Sequence, residues 1–276
     1  MTGKIKIGAV PYLNVKPIIY GLEAFRNRVE LYFDVPSKLP RMLERGEVDV
    51  AVVPAIECLR RGGFVVLPGV SISSKGPVES VRLFLKGGSI DTVKRVALDE
   101  SSLTSAALTR IILKEKYGLS PLYFPWQGGS GIDEVEADAF LLIGDNAMLL
   151  NDGLASLDLG REWDELTGLP FVYALWAGAS TEVLAEATAL LQEAKERGLE
   201  DLAAITLKES GRLGLDPELC MRYFTRCIHY DLGEQELRGL CRFRDYALKM
   251  GLVPDGVAFE LYDRGNVREG ALKRAH

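Results

Sequence analysis

IKIGAVPYLNVKPIIYGLEA (Ile5–Ala24) decides the reading of the fold. Its first six residues, Ile5–Val10, form a compact run of β-formers and small residues that Pro11 stops. A helix is then expected from about Val15 to Ala24, because Ile18, Ile19 and Leu22 recur at the spacing of one helical face. Asn14 stands where an N-cap for that helix would, and Pro17 falls in the first turn, where its missing N–H costs nothing. A strand leading through a short polar turn into a helix is the repeating unit of α/β folds.

The same alternation continues outward. Val29–Val35 reads as a strand, and Pro36-Ser37 opens a short helix that carries Leu39, Met42 and Leu43 and ends at Gly46. Val48–Val53 is almost wholly apolar and stops at Pro54, the composition of a parallel-sheet strand covered on both faces. Ser80–Lys86 is another strand, and Gly87-Gly88 after it offers a place to change lobe. Strands at Val96–Leu98, Leu122–Phe124, Ala139–Ile143 and Phe171–Trp176 follow, with a helix over about Ser102–Lys116 and a short one from Gly144. From Ser180 to Met250 the pattern is helical, and the charged tail from Arg264 is expected to fray. The expected architecture is α/β and bilobal. Residues 1–87 and 178–276 form one lobe with the C-terminal helices, residues 88–177 form an inserted second lobe, and a ligand cleft lies between them.

Composition narrows the function. The chain has 276 residues, 47% hydrophobic, with 33 basic against 39 acidic side chains and a net charge of −6. Such a chain can bury a large core but lacks the basic footprint of a nucleic-acid binder. No apolar run reaches the length of roughly 18 residues that a membrane helix needs. Only two histidines occur, His229 and the last residue, His276, so a Ser-His-Asp relay, a Cys-His pair or a zinc site would have to be built around His229 alone. Cys58, Cys220, Cys227 and Cys241 show no metal-ligand spacing and read as buried small hydrophobes. Neither a metal nor a cofactor is expected. Residues Met1–Asn14 lack a secretory pattern, which makes a reducing cytoplasm the expected compartment.

Three strand-to-helix junctions could carry chemistry: Pro11–Asn14, Asp99–Thr104 and Ile143–Asn146. Each would place short polar side chains and free backbone N–H groups at a positive helix end, which suits an anion. Any one of them alone reads as an ordinary cap, whereas three facing one cleft favour a small anionic ligand. Arg82 could add a positive charge there or be a solvated strand residue. GGSG at Gly128–Gly131 lacks the lysine of a phosphate loop. Asp49 reads as a turn or cap residue, Trp126, Trp163 and Trp176 as packing aromatics, and His229 as a partly buried residue without a catalytic part.

At these junctions the sequence resembles a known family. IGAVPYLNVKPIIYGLE (Ile7–Glu23), GPVESVRLFLK (Gly76–Lys86), ALDESSLTSAALTRIIL (Ala97–Leu113), LLIGDNAM (Leu141–Met148) and DLGREWDELTGLPFVYALWAG (Asp158–Gly178) are similar, in order, to the chorismate dehydratases of the futalosine route to menaquinone. Ser102-Leu103 is less polar than the pair the family pattern has there. The resemblance implies a type II periplasmic-binding-protein fold and a hydro-lyase that removes water from chorismate, giving 3-[(1-carboxyvinyl)oxy]benzoate. It implies that Asn14 faces the reacting part of the substrate, and that Ser80, Ser101, Ser102 and Thr104 hydrogen-bond its carboxylates. Gly144 and Asp145 would then close the cleft from the second lobe. The ring proton would pass to the substrate's own enolpyruvyl carboxylate, with Asp145 as the rival base.

Three other readings stay open. A sister lyase of the same route shares the fold but uses a catalytic histidine, and residues 1–228 contain none. A solute-binding receptor for a small anion would be expected to carry an export signal or lipoprotein cysteine, and a regulator's effector domain would accompany a DNA-binding module.

Overall fold

Alternating isoleucines and small residues make Ile5–Ala9 a strand, β1, in which every side chain except Lys6 is buried. The computed structural model of the chain describes residues 3–127, 135–150, 153–263 and 266–269; Gly128–Gly131 and His276 lie outside the described residues. After β1 come α1 (Lys16–Glu23), β2 (Val29–Phe33), α2 (Leu39–Glu44), β3 (Val50–Pro54), α3 (Ala55–Arg60) and β4 (Val65–Ser74). The next segment holds β5 (Val81–Leu85), β6 (Arg95–Asp99), α4 (Leu103–Glu115), β7 (Leu122–Trp126), β8 (Ala139–Ile143), α5 (Gly144–Leu149), β9 (Ala155–Asp158) and α6 (Leu159–Thr167). The chain finishes with β10 (Phe171–Gly178), α7 (Leu184–Glu200), α8 (Leu202–Leu213), α9 (Pro217–Arg222), α10 (Glu234–Lys249), β11 (Glu260–Asp263) and β12 (Asn266–Glu269).

Among the described residues the strands form two sheets, β12-β11-β4-β10-β3-β1-β2 and β7-β6-β8-β5-β9. All five residues of β3 are buried, as its composition requires, but only β1 lies parallel to it. Its other neighbour, β10, runs antiparallel with Leu175 opposite Val53. Sheet membership also differs from the expected crossing. β5 pairs with β8 and β9, so the chain changes sheet between Ser74 and Val81, and Gly88 takes φ +76° in a turn after β5. β4, which the pattern does not reveal, contains Pro68-Gly69. The ladder with β10 is irregular there, jumping from Ser71 to Val66 between Leu175 and Ala177. The tail also departs from expectation, since Asn266–Glu269 pairs antiparallel with β11.

The C-terminal helices bury their apolar faces mainly on the first sheet's layer. α7 lies against α1 and β4, and α10 against β10 and α4. Two glycines let α1 and α7 approach closely: a Cβ on Gly21 would overlap the Ala194 carbonyl, and one on Gly198 the Pro17 carbonyl. Ile18, Ile19 and Leu22 are sealed in this contact, each contributing about 1.5–3 kcal/mol by leaving water. The turn that precedes α1 is thereby held rigidly at the end of β1.

Candidate active site

Three strand-to-helix junctions line one cleft between elements of the two sheets. The first is a 3-10 turn, Leu13–Val15, between β1 and α1. The helix it enters has Val15, not Asn14, as its N-cap, and no side chain caps it. Asn14 therefore sits inside the 3-10 turn and is free of capping duty. Its Oδ1 is buried without a hydrogen-bond partner. An orphaned buried acceptor costs about 1–3 kcal/mol, which a ligand's donor can recover. Asn14 lines a cleft of about 630 Å³ of empty space, mouth included.

The second junction enters α4. Ser102 is the N-cap, yet its side chain makes no capping bond and instead lines the cleft beside Leu103, Thr104 and Ser105. The first amides of this 13-residue helix have no earlier carbonyl to bond, so they add donors at its positive end. The third junction is Gly144, at φ +61° on the cleft wall, where a Cβ would lie 3.4 Å from the Tyr12 ring. Its N–H donates to the Ser80 carbonyl at 2.7 Å. Ser80 lines the cleft, and its hydroxyl accepts from the Tyr223 hydroxyl at 2.8 Å.

Two hydrogen bonds span the elements of the two sheets around this space. The Leu13 N–H donates to Asp145 Oδ1 at 2.9 Å, and the Ile56 N–H donates to Thr104 Oγ1 at 3.3 Å. Among the described residues no Asp, Glu, Lys, Arg or His lines the cleft. Its titratable groups are Tyr12 and Tyr173, and burial raises both phenols above their ordinary range. The Tyr173 hydroxyl is 3.0 Å from Ser74 Oγ.

Asn14, Ser80, Ser102, Thr104 and Gly144 are thus brought together, whereas Ser101 and Asp145 are not. Ser101 is drawn back by Asp99, whose Oδ1 accepts both its N–H, at 2.8 Å, and its hydroxyl, at 2.6 Å. It borders a neighbouring cavity on the far side of Tyr12. Asp145 follows Gly144 on α5, and one helical step turns it out of the cleft toward Leu13, with Arg212 3.6 Å from Oδ2. Burial, the largest influence, holds its carboxyl above the usual range despite the Leu13 amide and Arg212. Arg82 lies elsewhere, donating to Ser156 Oγ and stacking over Phe84. Asp49 accepts the Lys6 N–H, His229 bridges Ser73 through its backbone, and all four cysteines are buried thiols. Trp163 and Trp176 are fully buried, and Trp126 packs edge-on against Phe140.

Tyr12, Ser105 and Tyr173 line the cleft without having been singled out. Ser105 was within reach, three residues after Ser102 on the same helical face. Tyr12 shares the turn with Asn14. Tyr173 becomes visible only once β10 is known to run between β3 and β4.

Residues 5–249 match the menaquinone biosynthesis family. The chorismate dehydratase of Thermus thermophilus is 33% identical over 274 aligned residues, covering 90% of this chain and 96% of that protein. A crystal structure of an Archaeoglobus fulgidus protein superposes with a TM-score of 0.75 at 22% identity, covering 91% of this chain and 98% of that one. The periplasmic aliphatic sulphonate binding protein of Escherichia coli does so at 0.66 and 15%, covering 92% and 89%. The two structural likenesses speak for the fold, a bilobal α/β architecture of the periplasmic-binding-protein kind. With its ordered motifs, its fold and the match along most of its length, the chain belongs to the menaquinone biosynthesis family.

Proposed function

We propose that the protein is a chorismate dehydratase, a hydro-lyase that converts chorismate to 3-[(1-carboxyvinyl)oxy]benzoate and water. One observation carries this reading beyond the family relationship: among the described residues the cleft offers oriented donors and an open Asn14 carbonyl, but no side-chain carboxylate or imidazole to act as base. An elimination that carries its own base suits such a site. The enolpyruvyl carboxylate takes the proton from the ring carbon that bears the ether. The C–H electron pair becomes a ring double bond, the neighbouring C–O bond breaks, and the departing hydroxide leaves as water with that proton. Aromatisation supplies the driving force, so the protein's task is to position and to solvate.

In this reading Asn14 Oδ1 accepts from the substrate hydroxyl while the amide N–H₂ donates to a carboxylate oxygen. The hydroxyls of Ser80, Ser102 and Thr104, with the first amides of α4, hold the carboxylates of this small anionic substrate. Gly144 keeps the wall thin enough for Tyr12 to close over the ring. Ser101 and Asp145 act from behind, Ser101 beside Tyr12 and Asp145 through the Leu13 amide. Neither metal nor cofactor is required, and we assign the enzyme to the cytoplasm. Purified protein incubated with chorismate should yield the benzoate product by chromatography. Tight binding of chorismate without turnover would instead favour a solute-binding receptor.

A further inference from the structure

We propose that Tyr223 is a positioning residue that locks the Ser80 hydroxyl as a hydrogen-bond donor into the cleft; this rests on the reading above, in which Ser80 holds the substrate. Tyr223 is 1% exposed and Ser80 2%, and they are 143 positions apart in the chain. The phenol donates to Ser80 Oγ at 2.8 Å and so fills a lone pair on that oxygen. Among the described residues the one hydrogen bond at Ser80 Oγ is the one it accepts from Tyr223, and Ser80 lines the cleft. Its direction is therefore set: a lone pair points back at Tyr223 and the proton points forward. For an anionic substrate that polarity decides whether Ser80 attracts or repels. Burial pushes the Tyr223 phenol far above its ordinary range, so it stays a donor at any working pH.

The backbone around Ser80 is gripped from the same side. Glu79, at φ +61°, is the one non-glycine residue with positive φ among the described residues, a conformation costing about 1–2 kcal/mol. Asp158 holds this turn open by accepting the N–H of Glu79 at 2.7 Å and that of Val78 at 3.0 Å. Arg222 donates to both Glu79 carboxylate oxygens, at 3.0 and 3.1 Å. Arg222 and Tyr223, adjacent at the junction of α9 with a π-helical turn (Tyr223–Cys227), thus bind Glu79 and Ser80, adjacent in the turn. Inserted π-turns re-aim side chains and recur near functional sites. The Ser80 carbonyl passes the restraint on by accepting the Gly144 amide of the cleft wall.

The test is a double-mutant cycle on kcat/KM for chorismate. Tyr223→Phe keeps the ring and removes the donor; it should lower kcat/KM about tenfold with Ser80 present and less than about twofold in a Ser80→Ala background. Melting temperatures of the single variants should stay within a few degrees of the parent. Should the buried change impair folding, Arg222→Met at its exposed site serves instead, with an expected loss of about two- to fivefold that Ser80→Ala abolishes. Equal losses in both backgrounds, from an active parent enzyme, overturn the inference and leave the proposed function standing. A parent enzyme that does not convert chorismate overturns the proposed function itself, and this inference with it.

Discussion

Asn14→Asp exchanges an amide for a carboxylate of nearly the same volume, so its consequences are electrostatic. Among the described residues the cleft lining contains no cation to offset a new negative charge. A substrate carboxylate about 5 Å away, at an effective dielectric near 20, would be repelled by about 3 kcal/mol. That alone is on the order of a hundredfold in kcat/KM, and losing the amide donor adds on the order of another ten- to hundredfold. Stability should respond far less, because Asn14 caps no helix and its Oδ1 already lacks a partner. The positive end of α1 lies within two residues and eases the new charge. The assay is product formation from chorismate by chromatography beside a thermal melt of both proteins. Activity within about tenfold of the parent refutes the argument, since no charge so placed beside a dianion could be that mild. A large fall in melting temperature would show instead that the amide has a structural part.

Asp145→Asn should keep turnover within about tenfold, because Asn still accepts the Leu13 N–H; a loss beyond about a thousandfold would make Asp145 the base. Its raised carboxyl means that the folded protein binds this proton more tightly than the unfolded chain does. That stabilising contribution is complete below about pH 4 and fades as pH rises through the folded value. The Asn variant's melting temperature should therefore gain on the parent's as pH rises above about 4, and parallel pH profiles would contradict this. Ser102→Ala should lower kcat/KM about tenfold with an unchanged melt, since the side chain makes no capping bond; a drop of several degrees would restore the cap. Gly144→Ala puts a Cβ against Tyr12 at φ +61° and should lower the melting temperature by about 2–4 °C per kcal/mol of strain while raising KM. An unaltered KM would separate the Tyr12–Gly144 contact from substrate binding.

Local physics reads well from local sequence. Ala139–Ile143 is apolar throughout and forms the strand at the expected bounds, and β1 and α1 come within one or two residues of theirs. Ser102 and Thr104 could be picked out because polar residues at a strand-to-helix junction have few other uses. What the sequence hides depends on distant partners. Asp145 faces away from the cleft because the Leu13 amide, 132 residues earlier, claims it. Ser101 turns back toward Asp99, and Asn14 loses its capping part to a single 3-10 turn that no periodicity marks. β4 is concealed by its own Pro68-Gly69 irregularity, and the crossing between sheets by β5 joining strands read as a separate lobe. The residues themselves reach an anionic ligand in a cleft; the family resemblance supplies the reaction.

The position of β10 has a consequence for how the chain assembles during synthesis. Among the described residues every strand of the second sheet lies within 81–158, so that sheet can form from one contiguous stretch. The first sheet cannot. β3 and β4 are complete by residue 74, yet both must wait for Phe171–Gly178 to slide between them. Until roughly two-thirds of the polypeptide exists, two apolar strands face solvent with unpaired edges, the condition in which chains pair with the wrong neighbour. A nascent chain halted before Phe171 should aggregate, and one released after Gly178 should begin to close the sheet that carries Asn14.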